Sequence, residues 1–512
     1  MLDGVTEEQL GCWAEELAIL LDGLGHLFAR PEPREVFADV VQGLLSDAKR
    51  KNGWTVAERA GHANPGRVQK FFNAASWSAD ALLEEVRSYV GEHLGDPGAT
   101  LVLDDTQAQK KGRESVGVAP QHCGVTGDVR NCQVMVMLTY AAPGGHTYLD
   151  RRLYLPAAWT DDPTRCARAG VPADTVFATK PQLATQMVER CLADGVAFAW
   201  VVADSGYGRD PGLRAMLHAE RLRYVLAVAV DLPLVPPPGK PAPGTKTIKR
   251  ADDLLPYARR RDQWERRSCG HGTKGERYYD WTLFAVTVKG EQPASGFEHQ
   301  LLLRRSTHKK QLAGGRFDFE YAYFLVHAPA GTPLTEAVAQ AGIRWQVEED
   351  NEQGKQLTGL DQYQVRKWMP WHRWTTCVML AHAFLAVQRA HHPARLSEST
   401  DPDPTCEHAT ADDAPSAPGV IDSAPPSKVA GVMTRLTVTA LAGLLALTGL
   451  AVHPRDDQIL ARHRWRAEHQ TAAAISHYQR RGDPLPPHLR AHAQNPSTKE
   501  DLEGYSEPFA VV

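Results

Sequence analysis

Three side chains near residue 350 have the types and the spacing to hold a metal ion beside a phosphate. Glu348 follows Arg344 by four residues, and Lys355 follows Glu348 by seven. At about 3.6 residues per turn, a helix places all three along one face. A carboxylate between two cations can bind a divalent metal while the cations bind phosphate. Because the same spacing occurs in solvated salt bridges on helix surfaces, the metal-site interpretation depends on carboxylates elsewhere in the chain.

Further carboxylates follow two apolar segments of β-type sequence. Asp104 and Asp105 come directly after residues 101–103, and Asp204 comes directly after residues 197–203. If these segments are neighbouring strands, the carboxylates lie close together and repel one another unless a cation neutralises them. Mg²⁺ binds such a group of carboxylate oxygens, with water and substrate phosphates as its other ligands. Each aspartate taken alone is also compatible with a helix N-cap or a turn.

The order of elements in residues 96–230 predicts a sheet that brings these carboxylates together. Three β-type segments precede a helix, a strand, a second helix and a final strand; the segments are 99–103, 132–140, 147–155, 180–193, 197–203, 209–220 and 222–228. This is the order of an RNase-H-like core, although other α/β folds share it. In an RNase-H-like sheet the first and fourth strands are adjacent and parallel, so Asp104 and Asp204 would be neighbours. The helix that carries Glu348 would supply the third carboxylate, and two metal ions about 3.5–4 Å apart would act on a phosphodiester.

Helical regions and a β-rich insertion are predicted around this catalytic core. Residues 1–95 are predicted to be helical, and their basic residues indicate either a DNA-binding module or an ordinary helical bundle. Residues 231–335 begin with a proline-rich loop and contain three β-type segments, which predicts a β-rich insertion. Residues 336–391 are predicted to hold the catalytic helix and the end of the core. The fold class is therefore predicted as α/β, with an RNase-H-like catalytic core interrupted by a β-rich insertion.

The last part of the chain is predicted to be a linker and a second helical region. Residues 392–429 are rich in proline and have too little apolar content to pack, which predicts a disordered linker. Residues 430–512 are predicted to form a helical, basic tail with a phosphate-contacting patch. Within that tail, residues 436–452 are uncharged and at the lower length limit for a membrane span. Their threonines and glycines favour a buried helix pair over a span.

The composition and the N-terminal sequence limit the classes of protein to which the chain can belong. The chain has 512 residues, a net charge of −4 and eight cysteines without any CxxC pair. A zinc ribbon or a dense disulfide framework is therefore not indicated, and a reducing compartment is the simplest interpretation. The acidic N-terminus lacks the cationic and apolar regions of a signal peptide. We therefore expect a cytoplasmic protein.

Motifs along most of the chain resemble those of the DDE transposases of bacterial insertion sequences. The resemblance is strongest to the insertion-sequence seven-hundred-and-one group, within the RNase-H-like superfamily. The matching stretches include residues 104–106, 110–112, 115–124, 127–133, 153–159, 177–183, 204–210, 274–281, 344–349 and 359–366. Because so many stretches occur in the same order, the resemblance is far more specific than the three carboxylates alone.

The resemblance implies a reaction and a set of site residues. It implies cleavage of transposon ends and strand transfer into target DNA by direct phosphodiester attack, supported by two Mg²⁺ or Mn²⁺ ions. The catalytic, metal-binding carboxylates would be Asp104, Asp204 and Glu348. Asp105 is an alternative metal ligand to Asp104, while the spacing to Arg344 and Lys355 favours Glu348 over the adjacent Glu349. The residues predicted to contact DNA are Arg344, Lys355, Lys110, Lys111 and Arg366.

The expected partners are transposon-end and target DNA, and the joining of two ends implies a homodimer on DNA. No membrane association is expected, and the protein would be associated with the bacterial nucleoid. Two other functions remain open from the sequence. One is a domesticated or inactive DNA-binding remnant, and the other is an RNase-H-like nuclease that lacks strand transfer.

Overall fold

A computed structural model of the chain describes residues 7–391, apart from 125, 238–246, 262, 273–274, 312–314 and 316, and a few isolated positions beyond 391. The predicted linker and C-terminal tail, including residues 436–452, lie almost entirely outside the described residues. In the described part of the chain, no helix combines the length and apolar character that crossing a membrane requires.

Five helices form the N-terminal region and confirm its predicted helical character. They are α1 (Glu7–Gly23), α2 (Pro31–Leu45), α3 (Gly53–Arg59), α4 (Gly66–Asn73) and α5 (Ala79–Leu94), with a 3-10 turn at Leu24–Leu27. The side chain of Asn52 accepts hydrogen bonds from the first turn of α3, and Ser78 caps α5 in the same way. The rings of Phe37, Phe71 and Trp77 pack together between these helices, which gives the region an aromatic core.

The central sheet begins after α5 and has the strand order of an RNase-H-like core. Its first strands are β1 (Thr100–Gln109), β2 (Ala119–Cys123), β3 (Asp128–Ala142), β4 (Gly145–Leu153), β5 (Trp200–Ala203) and β6 (Arg223–Val228). Strand β1 pairs antiparallel with β3 and parallel with β5, which pairs parallel with β6. The other edge of β3 carries both β2 and β4. The predicted adjacency of the first and fourth core strands, which are β1 and β5, is thus confirmed.

Helices connect and cover these strands. They are α6 (Ala157–Thr160), α7 (Pro163–Ala169), α8 (Lys180–Ala193), α9 (Ser205–Gly208) and α10 (Pro211–Ala219). Helix α8 begins after Thr179, whose side chain and that of Gln182 form a capping box. Because β1 and β5 are adjacent and parallel, the chain must cross over between them, and this crossover contains β2–β4 and α6–α8.

The region predicted as a β-rich insertion continues the same sheet. It contains a 3-10 turn (Ala251–Leu254), α11 (Leu255–Arg261), β7 (Glu265–Gly272), β8 (Gly275–Val286), β9 (Phe297–Arg305), β10 (Lys310–Gln311), β11 (Phe317–Asp318) and β12 (Tyr321–Pro329). Strand β12 pairs antiparallel with β6, and β9, β8 and β7 follow outward in that order. The short strands β10 and β11 pair with each other. The main-chain hydrogen bonds of the core thus extend without a break into this region.

Three helices complete the described chain: α12 (Leu334–Ile343), α13 (Trp345–Leu357) and α14 (Trp368–His391). Val347 of α13 packs against Val102 of β1 and Ala141 of β3, so this helix lies across the centre of the sheet. Helix α14 is buried on nearly every side, which is the position expected of a helix with apolar residues all round. The side chain of Arg373 on α14 donates hydrogen bonds to the carbonyls of Phe71, Phe72, Ala75 and Trp77, which joins the N-terminal helices to the core.

Candidate active site at the centre of the sheet

The two parallel strands at the centre of the sheet place Asp104 beside Asp204. The parallel pairing of β1 with β5 ends at Leu103 and Ala203, and each aspartate is the next residue in the chain. Burial and the neighbouring Asp204 carboxylate raise the pKa of Asp104 to about 7, against the opposing effect of Arg344. A raised pKa of this origin indicates a buried negative charge without enough compensating positive charge.

The position of Asp104 corrects one detail of the sequence analysis. Asp104 and Asp105 lie inside β1, which continues to Gln109, and not at the end of the strand. The strand continues because its antiparallel partner β3 stays paired with it as far as Gln109 and Cys132. Only the pairing of β1 with β5 ends just before these aspartates. Beyond that point no strand of the described structure lies directly beside this edge of β1, which leaves space for the side chains.

Successive side chains of β1 point to opposite faces of the sheet, which separates Asp104 from Asp105. On one face, the Thr100 hydroxyl donates to Gln340 of α12 at 2.7 Å, and Val102 packs against α13. Asp104 lies two residues after Val102 and therefore points to the same face, where its Oδ2 lies 3.6 Å from Nη1 of Arg344. The other face carries Leu101 and Leu103, which belong to the main hydrophobic core. Asp104 therefore lies on the face covered by α12 and α13.

Arg344 connects Asp104 to α13, the helix that carries Glu348. It lies at the junction of α12 and α13, and its Nη2 donates to Oε1 of Glu348 at 2.5 Å. Its other terminal nitrogen faces Asp104, so one guanidinium lies between two carboxylates. The predicted pair of Arg344 and Glu348 on one helix face is therefore present. It faces the sheet centre and is not simply a solvated surface bridge.

The three predicted catalytic carboxylates lie in the same part of the molecule, but they are not in close contact with one another. Within the described part of the chain, Asp104, Asp204 and Glu348 do not form a group whose oxygens all lie within 4.8 Å of one another. Arg344 occupies part of the space between Asp104 and Glu348. The donors are all carboxylate oxygens, which are the ligands that Mg²⁺ and Mn²⁺ prefer. The uncompensated charge of Asp104 also fits a cation, so these residues suit a divalent metal.

Asp204 is held in place by the turn that follows β5. Its Oδ1 accepts hydrogen bonds from the backbone N–H groups of Gly206 and Tyr207, at 2.8 and 3.3 Å. Asp204 is thus the N-cap of α9, which is one of the roles that the sequence allowed for it. Both hydrogen bonds use Oδ1, so Oδ2 is left for another partner. A Cβ on Gly208 would lie 1.9 Å from the carbonyl oxygen of Ala227. This turn therefore requires glycine in order to pack against β6.

Asp105 has a different environment on the opposite face. Its Oδ2 lies 2.8 Å from Nζ of Lys180, at the start of α8, and its Oδ1 accepts from Gln107 at 2.6 Å. The carboxylate is therefore already paired with a cation. The charge that lacks compensation belongs to Asp104.

The two acidic residues after Glu348 have partners other than Asp104 and Asp204. Glu349 accepts from Gln353 at 3.2 Å. Asp350 is fully buried, and it accepts hydrogen bonds from Thr139 at 2.9 Å and from Nδ1 of His146 at 2.6 Å. This buried network fixes the rotation of α13 about its axis, and with it the direction of Glu348. The sequence gives no local sign of this network, because Thr139 and His146 are about 200 residues from Asp350.

The predicted DNA contacts differ in how accessible they are. Lys110 is largely buried: its Nζ donates to the carbonyl of Tyr363 at 3.2 Å and lies 3.5 Å from that ring's centroid. Burial lowers the pKa of Lys110 to about 8, although the nearby Asp361 opposes the change. Lys355 is partly buried, and burial lowers its pKa. Lys111 and Arg366 are exposed.

Two of these basic segments are joined by the backbone. The N–H of Val116 donates to the carbonyl of Arg366 at 2.9 Å, so the loop after β1 lies against the segment before α14. Lys110, Lys111 and Arg366 therefore belong to one contiguous part of the molecule, although they are far apart in the chain.

Comparison with known proteins identifies the family. The family model of the DDE superfamily endonucleases matches residues 22–283, slightly more than half of the chain. The match includes Asp104 and Asp204 and ends before Glu348. Over 204 residues the chain is 26% identical to the probable transposase for insertion sequence element IS701 of Microchaete diplosiphon, which covers 40% of this chain and 50% of that protein. The chain thus spans about half the length of this curated relative. With more than half of its residues matched by the family model, and with the fold and the paired aspartates described above, the chain belongs to the DDE superfamily endonucleases.

Proposed function

We propose that this protein is the transposase of a bacterial insertion sequence. It cleaves the phosphodiesters at the transposon ends and joins the ends to target DNA. The observation that carries the proposal is the adjacency of Asp104 and Asp204 on parallel strands, with Glu348 directed to the same face by Arg344. The similarity to the probable transposase of insertion sequence element IS701 supports it.

Asp104, Asp204 and Glu348 would hold two Mg²⁺ or Mn²⁺ ions. When bound, the ions would supply activation of the attacking water or 3′-hydroxyl and stabilisation of the leaving oxygen. The attack is direct, so no residue of the chain becomes covalently attached to DNA.

We assign the first metal ligand to Asp104 and not to Asp105. Asp104 shares a face of the sheet with α13, whereas Asp105 is paired with Lys180 on the other face. The raised pKa of Asp104 supports the same assignment, because a divalent cation supplies the positive charge that this carboxylate lacks.

Arg344 has two roles in this proposal. In the metal-free protein its guanidinium reduces the repulsion between Asp104 and Glu348. With DNA present it also binds a backbone phosphate, for which its planar group of donors is suited. A lysine at this position cannot reach both carboxylates with two separate nitrogens, so Arg344→Lys should reduce cleavage.

The remaining DNA contacts follow from accessibility. Lys111 and Arg366 are exposed and bind phosphates directly. Lys110 mainly positions the segment that contains Tyr363, and Lys355 contributes positive charge at the far end of α13. Two copies of the chain, each bound to one transposon end, form the active dimer on DNA at the nucleoid.

The test is a cleavage and joining assay. Full-length protein is incubated with Mg²⁺ or Mn²⁺ and a DNA fragment that carries the element's own ends, and both strands are sized. We expect metal-dependent nicks at the ends and joined products. Asp104→Asn, Asp204→Asn and Glu348→Gln should each lose both products, while the matched controls Asp105→Asn and Glu349→Gln retain most of the activity.

The assay also separates the alternatives. End binding without cleavage would indicate an inactive remnant, and nicks without joined products would indicate a nuclease that lacks strand transfer. Retained cleavage by folded Asp204→Asn protein would refute the proposed site. End affinity should fall steeply with salt, and Arg366→Ala should reduce the slope of that dependence.

A further inference from the structure

A second cluster of metal-binding side chains lies between α10 and the outer strands of the sheet. It consists of His218 on α10, Glu291 in the turn after β8, and His299 on β9. One ligand atom from each residue lies within 4.8 Å of the other two, and this is the only group of three that meets that distance among the described residues. None of these residues belongs to the proposed active site.

The two imidazoles face each other through their Nε2 atoms, which are 3.1 Å apart. Two nitrogens bound to one tetrahedral Zn²⁺ at 2.0–2.1 Å would be about 3.3 Å apart. The rings therefore need to separate by only a few tenths of an ångström, on the order of 0.2 Å, to accept such an ion. The observed spacing is close to that of a preformed pair of ligands.

One nitrogen of this cluster has more polar neighbours than it can serve. The Nε2 of His218 has two neighbours, Nε2 of His299 at 3.1 Å and the hydroxyl of Tyr224 at 2.9 Å. A neutral imidazole nitrogen offers either one proton or one lone pair, so it serves only one of them well. His299 is almost fully buried, and its other nitrogen, Nδ1, has no hydrogen-bond partner in the described structure. A metal ion that accepts a lone pair from each Nε2 would replace the contact between the two nitrogens, and each ring would then carry its proton on Nδ1.

Protonation does not offer a simpler solution. Burial lowers the pKa of His299 to about 3, and the neighbouring histidines and Arg214 lower it further. Burial also lowers the pKa of His218, although Glu291 opposes the change. Both rings are therefore neutral at pH 7, which is the form that binds metals.

The third ligand is held by an arginine. Arg214 of α10 pairs with Glu291 through Nε at 3.0 Å and Nη2 at 2.5 Å, and it also donates to the carbonyl of Gly208. This pair fixes the direction of the Glu291 carboxylate. A carboxylate has about four lone-pair sites, so Glu291 can accept these three contacts from Arg214 and still bind a metal ion. His327, whose ring centroid lies 4.5 Å from that of His218, is committed elsewhere: its Nδ1 donates to Leu222 and its Nε2 accepts from Ala294.

We propose that His218, His299 and Glu291 form a second metal site, which binds a first-row transition ion such as Zn²⁺. Two imidazoles and one carboxylate favour such an ion over Mg²⁺, which prefers oxygen ligands alone. A water molecule completes the tetrahedron from the half-exposed side of His218 and Glu291. The ion links α10 to β9 and to the turn after β8, so its role is structural and it joins the core to the outer strands.

The test uses the full chain with Asp104→Asn and Asp204→Asn, which removes the carboxylate site as a source of binding. The protein is stripped with a chelator, dialysed and titrated with Co²⁺ and, separately, with Zn²⁺. We expect about one ion per chain, the visible absorption of nitrogen-bound Co²⁺, and a rise in Tm with Zn²⁺. His218→Asn should weaken binding at least about tenfold, and Glu291→Gln should also weaken it.

His308→Ala, at an exposed histidine outside the cluster, serves as the matched control and should bind like the parent. If the parent gives no visible Co²⁺ absorption and retains no Zn²⁺, the proposal is wrong. It is equally wrong if the folded His218→Asn and His308→Ala proteins bind Co²⁺ alike. An absence of binding by the parent protein refutes the proposal even if a variant fails to fold.

Discussion

Replacing Asp104 with asparagine should stabilise the metal-free protein while it abolishes cleavage. The pKa of Asp104 is raised from 3.8 to about 7, first by burial and then by Asp204. Above pH 7 the native state must therefore hold a carboxylate whose charge is poorly compensated. Asparagine has the same shape, can still accept the hydrogen bond from the N–H of Asp105, and carries no charge.

The size and the pH range of the effect follow from the two pKa values. Below about pH 4 both the native and the unfolded states carry the proton, so Asp104 has no effect on stability there. Between pH 4 and 7 the native state holds a proton that the unfolded state has lost, so raising the pH lowers the free energy of unfolding. At about 1.36 kcal/mol per pKa unit, the difference reaches about 4 kcal/mol above pH 7. Asp104→Asn should recover much of this.

The assay is chemical or thermal unfolding at pH 5 and at pH 8, with EDTA. The advantage of Asp104→Asn over the wild type should be larger at pH 8. The matched control is Asp105→Asn, which removes the ion pair with Lys180 and should be neutral or destabilising. Mg²⁺ should raise the Tm of the wild type and should have little effect on Asp104→Asn. The reasoning is refuted if Asp104→Asn is less stable than the wild type at pH 8, or if Asp105→Asn is the variant that gains stability.

Three further substitutions test the elements that support the site. Arg373→Met removes the arginine donor from four carbonyls of the N-terminal region, of which the Phe71 carbonyl keeps a second donor, Nε1 of Trp77. We expect the free energy of unfolding to fall by at least about 3 kcal/mol, measured by denaturant unfolding, and residues 7–94 to be proteolysed faster. Gly208→Ala forces a Cβ against the Ala227 carbonyl and should lower both Tm and cleavage, whereas Gly112→Ala, where a Cβ meets open space, should change neither. Asp350→Asn weakens the bond from His146; burial lowers the pKa of that histidine but Asp350 raises it above the usual value overall. The pair of Asp350 and His146 therefore stabilises the protein fully below about pH 6.5, and this contribution is lost as the pH rises through the raised pKa of His146. In unfolding experiments, the stability difference between Asp350→Asn and the wild type should therefore shrink at high pH.

Elements with local signals were predictable from the sequence. Helix α8 begins and ends where the sequence predicts because Thr179 and Gln182 form a capping box and the apolar residues follow a helical period. The core strands were predicted from runs of apolar residues, and the family from its ordered motifs. Strand β2 and strand β7 were missed, since exposed polar residues make their sequences look like loops.

Long-range pairing limited the rest of the fold prediction. The three β-type segments of residues 231–335 were predicted as strands, but nothing local indicated that β12 would pair with β6. The partner of β12 is the edge of β6 that the other core strands leave unpaired. The histidine–glutamate cluster was invisible for the same reason, because its members are brought together only by this extension of the sheet.

The choice between Asp104 and Asp105 shows where the information for a site resides. Both residues are acidic, and both lie in β1, one and two residues past the end of its pairing with β5. Strand geometry guarantees that they face opposite sides of the sheet, but it does not say which side the catalytic helix covers. That is decided by Val347 and Arg344, more than 200 residues later in the chain, which contact Val102 and Asp104. A one-residue shift in the register of β1 would exchange the two aspartates, so the packing of α13 on β1 determines which carboxylate has the chance to bind metal.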